Sequence, residues 1–344
     1  MGGVSRSLTG RAFFLLALFP LAAFAGPYSQ AIGDASNGFD PPVPGYIGPD
    51  GPGVISVANG LNPAFVAWAD RVIQYTPADQ VDAGFDNPQL ALGPVTGDQF
   101  DIVSLGDRDV NALNAGALPG MITLGFPIAI ANLPGPDFAV FENAFSVSPG
   151  DTFAELAFVE VSTDGTNFVR FPAVSETASP VIFADPGIDV TGVYNLAGKH
   201  VNHDLADTWG TPFDLEQLRD DPAVQGGLLD VLNVRYVRIV DIPGSGFFAD
   251  RHGHPIYDLW PSQGSGGFDL EAVGVLNPRV TCTLSDDGTQ LSFVAPPQRR
   301  VTLQGCMDLL NPAWSDVSTM PGDGLGHTVP VSGYRYYRLA LDLP

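Results

Sequence analysis

Carboxylate and amide side chains interrupt two apolar stretches that lie far apart in the chain. They are Asp137, Glu142 and Asn143 in PDFAVFEN, and Asp269 and Glu271 in GFDLEAVGVL. The apolar character of both stretches predicts strands, so these groups would lie where a sheet buries its side chains. Buried carboxylates need partners, and hard oxygen ligands with few nearby Cys or His favour Ca²⁺. We therefore expect the two strands to pair and their acids to share a calcium ion.

Further acids are candidate ligands for this calcium ion. Asp250 and Asp258 lie in a long polar loop before the second stretch, and carbonyls of the Gly-rich loops offer additional oxygens. The alternative is that these acids are solvated or cap turns, with Asp137 and Asn143 simply flanking their strand. The chain contains no contiguous EF-hand or repeat-type calcium motif.

Histidine spacing allows a second metal hypothesis. His200 and His203 form H-x₂-H, and His252 and His254 form H-x-H, intervals at which two imidazoles can bind one Zn²⁺. Neither pair belongs to an HExxH helix, and both lie among Gly, Asn and Asp. We favour ordinary polar turn residues at these four positions.

Aromatic residues in the long loops are candidates for ligand binding. Trp209, Tyr257 and Trp260 lie near acids such as Asp258, and a flat ring beside hydrogen-bonding groups can hold the apolar face of a sugar. A loop Trp can equally fold inward and cover the core. The sequence leaves both readings open.

Catalytic motifs are missing from the sequence. There is no G-x-S-x-G nucleophile elbow, no catalytic-Cys signature, no phosphate-binding loop and no dinucleotide fingerprint. Paired carboxylates could act as the acid and base of a glycosidase, but abundance of acids does not establish their geometry. We expect a protein without catalytic residues.

Secondary-structure signals indicate an all-β chain. Gly (40) and Pro (31) are abundant among 344 residues, which is typical of many short strands and turns. The spacing after Asn62 and Pro63 predicts one helix over 62–73 with Trp68 in the core. The pair Asp164-Gly165 predicts a β-hairpin, and Asp214 is expected to cap a short helix.

The C-terminal part shows six strand candidates spaced by about ten residues, beyond a boundary near Asn277-Pro278. This spacing predicts a small immunoglobulin-like or fibronectin-like sandwich over 279–344. Alternation places Cys282 on the inner face of its strand and Cys306 on the outer face unless a bulge intervenes. A disulfide between them is therefore doubtful on geometric grounds.

Charge and the N-terminus point to export. Two Arg, an apolar run and Ala23-Phe24-Ala25 predict a signal peptide over 1–25, cleaved before Gly26. A Gly/Pro-rich linker or extended arm is expected at 26–60. The net charge of −23 disfavours nucleic acid and anionic membranes, and no later stretch predicts membrane insertion. We expect a secreted or cell-surface protein.

The order of several motifs carries a family resemblance. ADRVIQYTP, NPQLALGP, PGPDFAVFENAF, FVEVSTDGTNFVRFP, YVRIVDI and GSGGFDLEAVGVL resemble secreted bacterial cell-surface proteins over residues 62–276. The hairpin and last strand are also similar to galactose-binding-like jelly rolls, which implies a large jelly-roll β-sandwich over 61–276. That resemblance also implies a structural Ca²⁺ beside the first and last strands. The C-terminal VTLQGCMDLLNPAWSDV resembles short modules that end bacterial surface proteins, although Cys306 departs from the pattern.

These observations together predict a secreted, non-catalytic, calcium-stabilised protein that binds a glycan or cell-surface polymer. Two alternatives stay open at this point. One is a structural surface or adhesion component without a small ligand, and the other is a glycan-acting hydrolase.

Overall fold

The computed structural model describes residues 26–31, 39–47, 60–204, 207–262 and 264–342. The expected signal peptide over 1–25 lies outside the described residues. Within the described residues, no helix is long and apolar enough to cross a membrane.

Short antiparallel strands dominate the described chain, as the abundance of turn residues predicts. Seventeen strands precede residue 277: β1 (Val43–Pro44), β2 (Ala67–Trp68), β3 (Arg71–Thr76), β4 (Val103–Ser104), β5 (Met121–Ile130), β6 (Phe138–Glu142), β7 (Phe145–Ser148), β8 (Asp151–Phe153), β9 (Ala157–Ser162), β10 (Val169–Arg170), β11 (Val174–Ser175), β12 (Val193–Tyr194), β13 (Leu196–Ala197), β14 (Asn202–Asp204), β15 (Asp207–Phe213), β16 (Val234–Asp241) and β17 (Asp269–Val275). The helices are α1 (Val110–Asn114), α2 (Pro222–Gln225) and 3₁₀ turns at Pro88–Ala91, Val190–Gly192 and Leu215–Leu218.

Two sheets form the large domain. One has the strand order β1-β15-β6-β17-β2, with β14 beside β15 and β4 beside β17. The other has the order β10-β9-β16-β5-β3, with β13 beside β9. Side chains of both sheets share one hydrophobic core, which is the definition of a β-sandwich.

Both faces of β6 are covered, which explains its apolar sequence. Phe138 and Val140 belong to the core between the sheets. Ala139 and Phe141 belong to a second cluster on the opposite face, together with Trp209. Neighbouring residues of a strand point to opposite faces. In a strand that is buried on both faces, an unpaired charge at any position therefore costs free energy.

The predicted helix over 62–73 is wrong. Asn62 does accept a hydrogen bond from the N–H of Ala64, but this closes a turn, and β2 and β3 follow it. Trp68 contacts Phe65 and Phe141 from β2 and remains partly exposed. Phe65 and Trp68 pack against one sheet, whereas β3 is a strand of the other sheet. The apolar residues of 62–73 therefore face two sheets, and their helix-like spacing does not reflect a helix.

Other local predictions are confirmed. β9 and β10 form the hairpin around Asp164-Gly165, with Val169 opposite Val161. Gly165 has φ +77°, a conformation that favours glycine. Asp214 caps the 3₁₀ turn at Leu215–Leu218 by accepting from the N–H of Glu216.

The described parts of the expected linker lie against the body of the large domain. β1 pairs with β15, and Tyr28 stacks on Tyr194 with ring centroids 4.6 Å apart. Lys199, the only lysine of the chain, is fully buried and donates to Asp40 at 2.6 Å. These contacts make residues 26–31 and 39–47 part of the folded domain.

All six C-terminal strand predictions are confirmed. They are β18 (Cys282–Leu284), β19 (Gln290–Val294), β20 (Val301–Cys306), β21 (Ser315–Met320), β22 (Gly326–Pro330) and β23 (Tyr336–Leu341). Two three-stranded sheets, β18-β19-β22 and β21-β20-β23, enclose a separate apolar core that includes Phe293 and Leu303.

The predicted faces of the two cysteines are reversed. Cys282 is exposed, Cys306 is buried, and both thiols are free. A register shift between Leu303 and Gln304 turns the end of β20 inward. The sequence reasoning allowed for such a bulge but could not place it.

Candidate functional site

Strands β6 and β17 are antiparallel neighbours, as predicted from the acids that interrupt their apolar sequences. Leu270 lies opposite Glu142, and the amide of Asn143 donates to Asp269 at 3.4 Å. Sheet pairing thus brings together three of the five predicted metal ligands, Glu142, Asn143 and Asp269.

Glu142 is the least satisfied group of this site. It is 1 % exposed, and neither carboxylate oxygen has a partner in hydrogen-bond geometry. Burial, followed by the nearby Asp269 carboxylate, raises the pKa of Glu142 well above its usual range. The backbone N–H groups of Asn143 and Ala144 offset only part of this rise.

A second glutamate joins the site from the other sheet. Glu155 precedes β9 and is buried, and burial together with Asp269 and Glu142 raises its pKa well above the usual range. Asp269 accepts a hydrogen bond from the hydroxyl of Ser104, yet burial still raises its pKa to about 7. Sequence reasoning missed Glu155, although an acid in the apolar run AELAFVEV was a signal.

Three aspartates form a second buried group beside the first. Asp107 accepts from Ser262, Asp241 from the N–H of Phe268, and Asp258 from the N–H of Leu156. Burial raises the pKa of all three, with Asp107 adding to the rise at Asp241 and Asp258. One oxygen of Asp241 has no partner.

The two groups contain six buried carboxylates and, among the described residues, no salt bridge to Lys, Arg or His. They are Asp107, Glu142, Glu155, Asp241, Asp258 and Asp269. We call them the acid cluster. Across the described ranges, no three His, Cys, Asp or Glu side chains already converge on one point as metal ligands. An ion here would therefore also need neutral oxygens.

A cleft of about 230 Å³ opens over the acid cluster. Glu155 and Asp269 reach its wall, and neutral oxygens come from Asn143, Ser262 and Ser265. Aromatic rings supply the other side of the cleft: Phe85, Phe100, Phe145, Phe153 and His203. Phe145 stacks on Phe153 at 4.7 Å, and the His203 ring lies 4.8 Å from Phe145.

Two predicted metal ligands lie elsewhere with their own partners. Asp137 is at the opposite end of β6, about 16 Å from Glu142 at the rise of a strand. It accepts from the N–H groups of Leu133 and Leu215 and from Asn277. Glu271 accepts from Thr96, Gly97 and Asn202. The prediction that Asp137 shares an ion with Glu142 is therefore wrong, and Glu271 already has protein donors on both carboxylate oxygens.

Asp250 is likewise a structural acid. Burial works to raise its pKa, but the N–H groups of Ser175, His254 and His252 lower it overall. This is the turn-capping alternative considered for the loop acids.

The four residues that were predicted to contact a ligand lie in different surroundings. Trp209 is 4 % exposed and packs in the cluster behind β6, so its proposed contact with a sugar is wrong. Tyr257 lines a separate depression near His254, and Trp260 is partly buried. Asp258 belongs to the acid cluster instead of a sugar-binding loop.

The two histidines of the first pair differ in burial, whereas those of the second pair are both exposed. His200 is buried beside Lys199, and burial lowers its pKa well below the usual range, whereas His203 lines the cleft. His252 and His254 are exposed, with ring centroids 6.0 Å apart.

Comparison with models of protein families gives no match to this chain, and neither does comparison with curated protein sequences.

Proposed function

We propose that this chain is a secreted, calcium-stabilised β-sandwich protein that binds a polyhydroxylated ligand, a glycan or surface polymer, without catalysis. The observation that carries the proposal is Glu142, whose two carboxylate oxygens are buried without partners beside Asp269 and Glu155. The resemblance to galactose-binding-like jelly rolls supports the same reading and remains a prediction.

A bound cation explains Glu142 better than protonation does. A protonated carboxyl would neutralise the charge, but its O–H would still lack an acceptor in hydrogen-bond geometry, at about 1–3 kcal/mol for an unsatisfied group. A cation satisfies both oxygens at once.

The ligand chemistry of the site favours calcium over other metals. Carboxylates of Glu142 and Asp269 would hold the ion, with neutral oxygens from Asn143 and Ser265 available beside them. Zn²⁺ prefers His and Cys, and Mg²⁺ demands near-ideal octahedral geometry, while Ca²⁺ tolerates irregular sets of oxygens. When bound, the ion would cancel the repulsion among the acids and fix the loops that carry them.

The cleft provides the features that a sugar site needs. Phe100 is 65 % exposed at its edge and offers a flat apolar surface, while Asn143, Ser262 and Ser265 offer hydrogen-bonding groups. Such rings beside polar groups hold the apolar face and the hydroxyls of a saccharide.

A glycan-acting hydrolase is the second candidate, and one observation favours it. Glu155 and Asp269 both line the cleft and both have raised pKa values, as the proton donor of a glycosidase must. Release of reducing ends from a polysaccharide, lost in Glu155→Gln, would replace the binding proposal with this one.

Metal analysis with a matched pair of variants tests the calcium site. We expect one Ca²⁺ per purified chain and a melting temperature that falls on adding EDTA and recovers with Ca²⁺. Glu142→Gln should lose this response, whereas Glu271→Gln, a buried acid with its own protein partners, should keep it. An unchanged melting temperature in EDTA, with no metal in the protein, would contradict the proposal.

A glycan array tests the ligand separately. We expect binding that Phe100→Ala weakens about tenfold, while Phe183→Ala, at a ring of similar exposure outside the cleft, leaves it unchanged. A calcium-loaded protein that binds no glycan would favour the structural alternative.

A further inference from the structure

Gly26, the residue after the predicted cleavage point, is held firmly against the large domain. Its backbone nitrogen donates to the hydroxyl of Thr191 at 2.6 Å, and the N–H of Tyr28 donates to the carbonyl of Thr191 at 3.0 Å. Three residues at the start of the arm are thus aligned along one short segment of the domain.

The fit is specific for glycine. A Cβ atom on residue 26 would lie 2.2 Å from the carbonyl oxygen of Thr191, a distance that backbone atoms cannot relieve without moving the arm. The residue type that follows Ala23-Phe24-Ala25 is therefore the one that this contact requires.

The surroundings of the Gly26 nitrogen are acidic. Gly26 lines a cleft of about 480 Å³ together with Glu176, Asp185 and Asp189. Thr191, which accepts from Gly26, donates its own hydroxyl to Asp189 at 2.6 Å. A peptide N–H at this position carries no charge to match these carboxylates, but an α-ammonium group would.

We propose that this cleft is the binding site for the new α-ammonium group that leader removal creates at Gly26. This inference rests on the export that the proposed function includes. Hydrolysis by a signal peptidase adds water across the Ala25–Gly26 bond, leaving a carboxylate on Ala25 and an amine on Gly26 that is protonated at neutral pH. The ammonium keeps its hydrogen bond to Thr191 and gains the attraction of Asp189.

Cleavage would therefore strengthen the fold of the mature chain. The arm already attaches through the buried Lys199–Asp40 pair and the stacking of Tyr28 on Tyr194. An ion pair at the tip adds an interaction that the precursor lacks, because its residue 26 carries an amide nitrogen. The precursor and the mature form should differ in stability while sharing one fold.

The test compares two full-length forms of the mature domain. One begins with the free amine of Gly26, and the other carries an acetyl group on that nitrogen, which removes the charge. We expect the free-amine form to melt about 2 °C higher. In Asp189→Asn the difference should vanish. In Asp109→Asn, a cap of α1 with no amine nearby, the difference should persist.

Intact-mass measurement of the exported protein completes the test. We expect a chain that starts at Gly26. A calcium-loaded chain that starts elsewhere would overturn this inference and leave the calcium site standing. Equal melting temperatures for the two forms, or a difference that survives Asp189→Asn, would also overturn it.

Discussion

The two sandwiches of this protein treat their acids in opposite ways. The acid cluster of the large domain consists of six buried carboxylates without an ion pair among the described residues, and burial raises their pKa values. The small domain keeps its aspartates at or near the surface around an apolar core. There, hydrogen bonds from Ser285 and Thr289 lower the pKa of Asp287 to about 2.

We infer from this difference that the proposed site belongs to the large domain. Buried charge without a partner opposes folding, so such acids are either protonated or neutralised by a compensating group, which the proposed ion would be. The small domain needs none. This contrast between the two domains leads to the following predictions, from the largest expected effect to the smallest.

The largest effect is expected at Glu271, the buried acid with the most protein donors. Glu271→Ala leaves the N–H groups of Thr96 and Gly97 and the amide of Asn202 without an acceptor. We expect the free energy of unfolding to fall by about 3–5 kcal/mol, measured by urea denaturation. Its calcium content should equal that of the unmutated protein, and loss of the metal would place Glu271 in the site after all.

Calcium removal should weaken one sandwich and spare the other. With free Ca²⁺ hundredfold above its Kd, the ion contributes about 2.7 kcal/mol. Hydrogen exchange followed by peptide mass spectrometry should show faster exchange in β6 and β17 after chelation, with β20 unchanged. Equal acceleration of hydrogen exchange in both domains would contradict the location of the ion in the large domain.

The pH dependence should have opposite signs in the two domains. Burial raises the pKa of Asp137 to about 7, so the folded protein binds a proton that the unfolded chain releases above about pH 4. Stability should fall by about 1.4 kcal/mol per pH unit between pH 4 and 7 from this group, and Asp137→Asn should flatten the slope. Denaturation series at several pH values measure it.

Asp287 in the small domain should show the reverse. Its folded pKa is lowered to about 2, so its contribution is present above its unfolded pKa and is lost as the pH falls towards 2. Hydrogen-exchange rates of the backbone amides in β19, measured below pH 4, would show this loss of stability. Stability of β19 that rises on acidification would contradict the assignment.

The smallest effect concerns the cysteines, where we expect none on stability. A thiol reagent should react with one group, Cys282, in the folded protein and with two after unfolding. Reducing agent should leave the melting temperature unchanged, because the structure has no disulfide between them. Cys282→Ser should abolish the reaction of the folded form, and two reactive thiols in the native state would contradict the burial of Cys306.

Strands and local turns could be predicted from the sequence because their signals are local. Alternation and Asp164-Gly165 located the β9–β10 hairpin, and the acids of β6 and β17 indicated that these strands pair. The helix over 62–73 failed because a turn at Asn62 followed by two short strands produces a similar apolar spacing. Periodicity over so few residues cannot separate the two structures.

The acid cluster was only partly predictable, because long loops contribute to the burial of several of its acids. Glu142 and Asp269 interrupt apolar strands and therefore stand out, whereas Asp107 and Asp241 occur at polar boundaries where acids are ordinary. Their burial depends on how long connections fold over the end of the sandwich. No local pattern encodes that, as the inward position of Trp209 also shows.

The burial of Lys199 has a practical consequence for labelling this protein. Because the sole lysine amine is enclosed and paired with Asp40, the folded chain offers no ε-amine to acylating dyes or aldehyde cross-linkers. Such reagents would leave Lys199 unmodified while the arm stays in place. Modification of Lys199 would therefore report that the arm has detached.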